Sequence, residues 1–218
     1  MNLLINPKED ADRTDIESAV VYIFRRIEDN KIKFNALKEA LKSSNSKAKI
    51  SVLSLLGKNP NSESLALIRS TLKSENSVQL AAINALAKWP NQEPALDLFE
   101  IASDKINPNK NSALDAYISI ASKAKNPTIA YQKAILLDES KSNLKRILAG
   151  MGQLGGLDAI EIIEPYLNDE AARDEAALAL TNIARGIKST NGATAINIIK
   201  NILNSEATNS AKSEAAKL

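Results

Sequence analysis

The chain contains neither cysteine nor histidine, and only 4% of its 218 residues are aromatic. Without cysteine there is no disulfide, no thiolate nucleophile and no zinc–thiolate site. Without histidine the commonest general base, the commonest metal ligand and the usual physiological pH switch are missing. Seven glycines and seven prolines are too few for the many tight turns of an all-β sandwich. The longest apolar run, Ala19 to Phe24, falls far short of the roughly 20 residues that span a bilayer. The opening Met1-Asn2-Leu3-Leu4-Ile5-Asn6-Pro7 has no basic stretch, and Pro7 cuts its apolar run well short of a secretion signal. A soluble chain without membrane insertion is expected. Its compartment stays open, because an absence of cysteine suits either side of a membrane. Neither sign of charge dominates: 28 basic and 26 acidic residues leave a net +2, too balanced to imply nucleic acid or an anionic surface. What remains is an ordinary soluble composition, 44% hydrophobic and 25% charged, long enough to bury a continuous core.

The main signal is repetition. Val78-Gln79-Leu80-Ala81-Ala82-Ile83-Asn84-Ala85-Leu86, running on to Trp89, matches Ala172-Arg173-Asp174-Glu175-Ala176-Ala177-Leu178-Ala179-Leu180, running on to Ile183. Apolar or small residues recur at positions that share one stripe of an α-helix. With Leu86 as anchor, the equivalents are Phe24, Leu56, Ile120, Met151 and Leu180, spaced by 32, 30, 34, 31 and 29 residues. Four residues before each anchor stand Val20, Val52, Ala82, Ala116, Ile147 and Ala176. One residue before it, Ala85, Ser119, Gly150 and Ala179 are small enough to let a neighbouring helix backbone come close.

Helix stops follow the anchors: Lys58-Asn59-Pro60, Trp89-Pro90-Asn91, Lys125-Asn126-Pro127, Gly155-Gly156 and Ser189-Thr190-Asn191-Gly192. Second apolar-periodic runs come after them, with stripes Leu65/Ile68/Leu72, Ala95/Leu98/Ala102, Ile160/Ile163/Leu167 and Ile196/Ile199/Leu203. Thr14 and Glu17 form a capping box, and Asp169 precedes the helix containing Arg173. The pattern predicts a polar lead-in over 1–13 and a repeat array over 14–206. Within the array, helical hairpins fall at about 14–43, 46–74, 76–104, 110–138, 141–168 and 170–203. Residues 207–218, with Ala211, Ala215 and Leu218 in the frame, read as a partial repeat or C-terminal cap. A chain that ends inside a first helix suggests either a worn-down terminal cap or, the reading favoured, a piece cut from a longer parent.

The Val78/Ala82/Ala85-Leu86 frame and Ala172-Arg173/Ala176/Ala179-Leu180 resemble the first helix of HEAT repeats over about 14–218. The Arg173 position is Lys49, Gln79, Ala113 and Leu144 elsewhere, and the family's proline within the first helix is missing. The resemblance implies an all-α fold, a right-handed α-α superhelix (an α-solenoid) of about six hairpins plus a terminal half repeat. First helices would lie outside and second helices would line the concave face. Ala85-Leu86-Ala87-Lys88-Trp89-Pro90 is similar, more narrowly, to bacterial HEAT arrays inside larger secreted multidomain proteins, which would imply a secreted or periplasmic location.

Several motifs invite chemistry and have plainer readings. Gly150-Met151-Gly152-Gln153-Leu154-Gly155 has the spacing of a dinucleotide fingerprint. That fingerprint needs a strand before it, whereas Leu144 to Leu148 belong to a repeat helix. Ser70-Thr71-Leu72-Lys73 matches the Ser-x-x-Lys of acyl-enzymes but lacks their partner motifs. Asp158, Glu161, Glu164, Asp169, Glu170, Asp174 and Glu175 form an acidic run, read as a solvated stripe rather than an acid–base pair or calcium loop. Arg25, Arg26, Lys31, Lys33, Lys38 and Lys42 concentrate in the first hairpin but are punctuated by acids. Nucleic-acid binding would want such charges tracked along several repeats with aromatics between them. The single tryptophan, Trp89, stands where Leu154 and Ile183 stand, and is expected in the core.

The expectation is therefore a non-catalytic protein–protein interaction scaffold without cofactor or metal, and a monomer. Its surface would be formed by Arg69, Lys73, Asp97, Glu100, Lys133, Glu161, Glu164 and Lys200, whose charges run from basic through mixed to acidic and back. One alternative is a spacer or accessory module that touches only neighbouring domains of a larger secreted enzyme. The other is a nucleic-acid-binding HEAT-like protein.

Overall fold

The computed structural model describes Arg26, residues 29–42 and residues 46–218. The lead-in, the Thr14/Glu17 box, Val20 and the Phe24 anchor lie outside the described residues. Among those described there are helices and no strand. The α-helices are α1 (Asn30–Leu41), α2 (Ser46–Lys58), α3 (Ser62–Arg69), α4 (Asn76–Leu86), α5 (Ala95–Ser103), α6 (Lys110–Ala121), α7 (Pro127–Leu137), α8 (Leu144–Leu154), α9 (Ile160–Ile163), α10 (Arg173–Ile187), α11 (Gly192–Asn204) and α12 (Asn209–Ala215). The chain divides into two compact units, Met1–Ile120 and Ala121–Leu218.

Local chemistry explains where helices begin and end. Asn61 caps α3 by accepting the Ser64 N–H on Oδ1 at 2.8 Å. Asn126 caps α7 in the same way, taking the Ile129 N–H at 3.2 Å, with Pro127 at the first helical position, where a missing N–H costs nothing. Asp29 accepts the Lys31 and Ile32 amides at the start of α1. Gly155 ends α8 at φ 72°, a left-handed conformation suited to glycine. Asp169 is not itself the cap of α10. That place belongs to Ala172, while Asp169 closes the preceding turn by accepting the Ala171 N–H on Oδ1 at 3.0 Å.

In the first unit α2 packs mainly on α4, and α3 packs on both. In the second unit α8 packs mainly on α10, which in turn carries α11 and α12. The repeat frame is buried: Val52, Leu56, Val78, Ala82 and Leu86 lie on α2 and α4, Ala116 and Ile120 on α6, and Ile147, Met151, Ala176 and Leu180 on α8 and α10. Two seams are close enough to exclude any side chain. A Cβ on Gly57 would stand 2.9 Å from Ala85 Cβ and 3.0 Å from its Cα. A Cβ on Gly152 would stand 2.5 Å from Ala179 Cα and 3.0 Å from its carbonyl oxygen. Gly57 and Gly152 each follow an anchor, and Ala85 and Ala179 each precede the next one. Ser119, at the same small position, is instead exposed and donates its hydroxyl to Asp115 O at 2.8 Å. Trp89 is buried, with Nε1–H directed at Glu93 Oε2 3.3 Å away. Leu154, the residue equivalent to it, is exposed.

Two expected stripes differ in the structure. The run after Gly156 is a chain of short pieces rather than one helix: a 3₁₀ turn at Leu157–Ala159, the four residues of α9, and a second 3₁₀ turn at Glu164–Asn168. Pro165 has no N–H to donate to the Glu161 carbonyl, so the α-helical ladder stops there. On α11 the buried face is Ala195, Ile198 and Ile202, with Ile199 half-buried. Ile196 and Leu203 of the expected stripe are 54% and 41% exposed. Five large apolar residues between 196 and 203 offer two overlapping helical stripes, and packing on α10 selects the one with small Ala195 at its head.

Gly152→Ala is expected to destabilise the protein: overpacking costs about 1–3 kcal/mol, more than the gain of at most about 1 kcal/mol in helix propensity. Gly186→Ala, also in unit 2 but with nothing within 4 Å of the added Cβ, is expected to stabilise by about 0.5–1 kcal/mol. Urea-unfolding midpoints of the two variants should therefore move in opposite directions.

Candidate functional site

Four of the eight expected surface residues come together in unit 1. Arg69, at the end of α3, and Asp97, on α5, form an ion pair with Nη2 2.9 Å from Oδ2. Arg69 Nε donates to both carboxylate oxygens, at 3.0 and 3.2 Å, and Nη2 donates to Glu93 O at 2.9 Å. This forked arrangement suits guanidinium and carboxylate. It also ties Arg69 to α5 and to the turn before it. Lys73 and Glu100 are exposed beside it, and the four residues line an open groove of about 510 Å³ floored by Leu72, Gln79 and Ile101. Ser70 also faces this groove, but its Oγ–H donates to Leu67 O at 2.7 Å, an ordinary helix back-bond.

Beneath the groove lies a buried amide network that the surface pattern did not indicate. Gln79 Nε2 donates to Leu72 O at 2.7 Å, and Gln79 Oε1 accepts from Asn109 Nδ2 at 2.8 Å. Asn109 also donates to Asn76 O at 3.0 Å. The available signal was Gln79 itself, a polar residue beside the apolar stripe of its helix, at the position where Arg173 stands in a later repeat.

The other four expected residues lie in unit 2. Lys133 is exposed on α7, Glu161 on α9 and Lys200 on α11. Glu164 is half-buried and accepts from Asn201 Nδ2 at 2.8 Å, which ties the broken helix to α11. Other members of the acidic run also serve structural contacts. Asp174 Oδ1 accepts the Thr208 N–H at 2.8 Å, holding the entry to α12, and Asp169 Oδ2 meets Lys141 Nζ at 2.7 Å. The Lys141 hydrogen bond and the Ala171 N–H hold the Asp169 carboxyl below its usual value, and the same Asp169 contact raises Lys141. Arg185 pairs with Glu214 at 3.3 Å, and Lys217 with the same carboxylate at 2.8 Å, which lowers Glu214. Asp138, buried at the end of α7, accepts the Asn143 N–H at 2.7 Å and the Ser140 and Ser142 hydroxyls at 3.3 Å. Lys141 in that loop adopts φ 55°.

Gly150 and Gly152 lie within α8 and Gly155 caps its end, so the fingerprint spacing follows a helix rather than a strand. Gly150 makes room for the Tyr131 ring, whose hydroxyl would stand 2.6 Å from an added Cβ. Among the described residues no group of three or more Asp, Glu, His or Cys is placed to hold a metal ion. No described helix is long and apolar enough to cross a membrane.

No family model matches the chain, and no curated protein matches it. A solved structure does: the crystal structure of an engineered protein, a Northeast Structural Genomics Consortium target, is similar with a TM-score of 0.50 at 20% identity. The match covers 99% of this chain and 66% of that one, so the chain spans just under two thirds of its length. At that identity the likeness concerns the fold alone.

The lowered Asp169 carboxyl sets a pH dependence. Its contribution is complete above the ordinary value of 3.8 and is lost as pH falls through the lowered one. The raised Lys141 contributes fully below 10.5 and is lost as pH rises through its shifted value. Asp169→Asn should lower the melting temperature slightly at neutral pH and flatten its fall below pH 3.8, as read by circular dichroism across an acid series.

Proposed function

We propose that the chain is a HEAT-like right-handed α-solenoid that works as a non-catalytic protein-interaction scaffold, meeting its partner with the second helices of its hairpins. The observation that carries this reading is where large apolar side chains remain uncovered. Ile32, Leu96, Ile129, Leu136, Leu157, Ile196 and Leu203 all lie on α1, α5, α7, α11 or the turn before α9, which are second segments of the expected hairpins. Leu178 is the exception within a first helix, Leu154 ends one, and Ile106 lies in a connecting loop. Exposed apolar side chains gathered on one class of helix are what a docking face requires.

The repeat reading has independent support in long-range polar contacts. Arg69–Asp97 and Lys141–Asp169 are 28 residues apart, Arg185–Glu214 29 and Gln79–Asn109 30. These separations lie near the period of the sequence frame, and others run from 24 to 38 residues, as would be expected of stacked units that contact their neighbours. In this reading the outward charges are Lys73, Glu100, Lys133, Glu161 and Lys200, while Arg69 and Asp97 serve as an internal clasp.

The test is affinity capture with the purified chain from fractionated native extract, repeated with Leu96→Asp/Leu136→Asp and with the first-helix control Leu178→Asp. Binding of the captured protein should weaken at least about tenfold, or about 1.4 kcal/mol, in the double variant and stay unchanged in the control. Unchanged binding by a well-folded double variant would sink the second-helix reading. The charge component is tested separately by Glu161→Lys, at an exposed position, which should weaken binding and make it less sensitive to salt.

A further inference from the structure

The turn between α10 and α11 carries a chemical feature found nowhere else in the chain, an Asn-Gly pair at Asn191-Gly192. We propose that Asn191 is a site of spontaneous covalent modification, cyclising onto the Gly192 backbone nitrogen and converting to isoaspartate and aspartate. In this reaction a base removes the Gly192 amide proton, and the nitrogen attacks Asn191 Cγ. The new C–N bond closes a five-membered imide, and ammonia leaves with the proton it needs. Water then adds to either imide carbonyl and breaks one ring C–N bond. Opening at the backbone carbonyl leaves isoaspartate, and opening at the side-chain carbonyl leaves aspartate. The balance is one water consumed and one ammonia released, with no oxidant, metal or enzyme.

The structure leaves the reacting atoms accessible. Asn191 is exposed and sits outside helical geometry at φ −136° and ψ 56°. Gly192 is the first residue of α11, so its N–H is among those with no partner within their own helix. A Cβ at Gly192 would meet nothing within 4 Å, so no neighbour walls off the nucleophile. The Asn191 carboxamide makes no cap hydrogen bond, and its own contact is a long 3.4 Å bond from Nδ2 to Thr190 Oγ1.

Other asparagines differ on one of these points. Asn61 and Asn126 hold amide protons on Oδ1, and Asn126 is followed by Pro127, which has no proton to lose. Asn59 precedes Pro60 and donates to Leu55 O at 2.9 Å, while Asn109 is buried in the amide network. Asn182, Asn197 and Asn201 lie within helices and precede isoleucine, whose branched side chain crowds the attacking nitrogen.

The modification has a structural consequence. Asn191 N–H donates to Ile187 O at 2.7 Å, and Asn191 O accepts from Ala195 N–H at 3.0 Å, so this residue joins the end of one helix to the first turn of the next. Isoaspartate adds a methylene to the backbone there, shifting those two groups and loosening the seating of Ala195 and Ile198. Aspartate keeps the backbone and adds a negative charge at a helix start, which is favourable.

The experiment incubates the full chain in warm, mildly alkaline buffer made with heavy-oxygen water, beside Gly192→Ala and a urea-unfolded sample. Peptide mass mapping and isoaspartyl methylation then read each asparagine. The expected result is label entering the Asn191 peptide at least about tenfold faster than any other asparagine peptide, isoaspartate predominating, and a rate that rises with pH. Gly192→Ala, sterically free to fold, should slow that peptide about tenfold, a barrier change of about 1.4 kcal/mol. Conversion in the unfolded sample with none above background in the folded one would overturn the proposal, because the fold would then protect the site. An unchanged rate in Gly192→Ala would overturn it too.

Discussion

Contact between helix backbones at glycine and alanine is the constraint on which the packing rests. Where Gly57 faces Ala85 and Gly152 faces Ala179, there is no room for a single added carbon. That closeness brings the flanking anchors, Leu56 with Leu86 and Met151 with Leu180, into fully buried positions on successive helices. A helix pair held this tightly has its crossing point set by two small residues, while the large side chains around it fill the remaining space in interdigitated contact. The few aromatic residues fit this scheme. Gly150 yields its space to Tyr131, and the one tryptophan is buried at a hairpin end.

Polar side chains follow the same geometry. Arg69 meets Asp97 and Lys141 meets Asp169 across 28 residues of sequence each, close to the spacing of the anchors. Exposed pairs of this kind add little individually because water screens them. The buried Gln79–Asn109 bond is different in kind. Both amides are buried and bond each other as well as backbone carbonyls, so loss of Asn109 would take from Gln79 Oε1 the donor it has there. Among the described residues every buried side-chain nitrogen and oxygen has a partner. The acidic run from Asp158 to Glu175, which reads as a solvated stripe, thus includes residues that hold elements together: Glu164 to α11, Asp169 to the α7–α8 loop and Asp174 to α12.

The apolar residues of α11 divide between a buried and an exposed face. Its Ile198 and Ile202 are spent on α10, while Ile196 and Leu203 remain in solvent with Lys200 between them. An apolar patch with a lone cation is suited to a partner's surface, and the same helix begins at the chemically labile Asn191. The part of the chain proposed to meet a partner is in this respect also the part whose seating changes with age.

The helical class, the buried anchors among the described residues, Ala85, Ala179 and Gly152 at the close crossings, and the burial of Trp89 were legible in the amino-acid order, whereas Ser119 is exposed and Gly150 meets a tyrosine ring. Each follows from a local rule: period 3.6 for a buried stripe, glycine or proline for a stop, a small side chain for close approach. The candidate surface was legible only as outward charge, without its pairing. Tertiary structure alone decided that Arg69 is clasped by Asp97, that Glu164 serves Asn201, that Gln79 and Asn109 share a buried bond, and which stripe of α11 faces inward. The physical reason is common to all four. Periodicity specifies a face relative to its own helix axis, whereas burial and pairing depend on the surface that the neighbouring helix presents. That surface comes from residues some thirty positions away, at an angle that only packing determines.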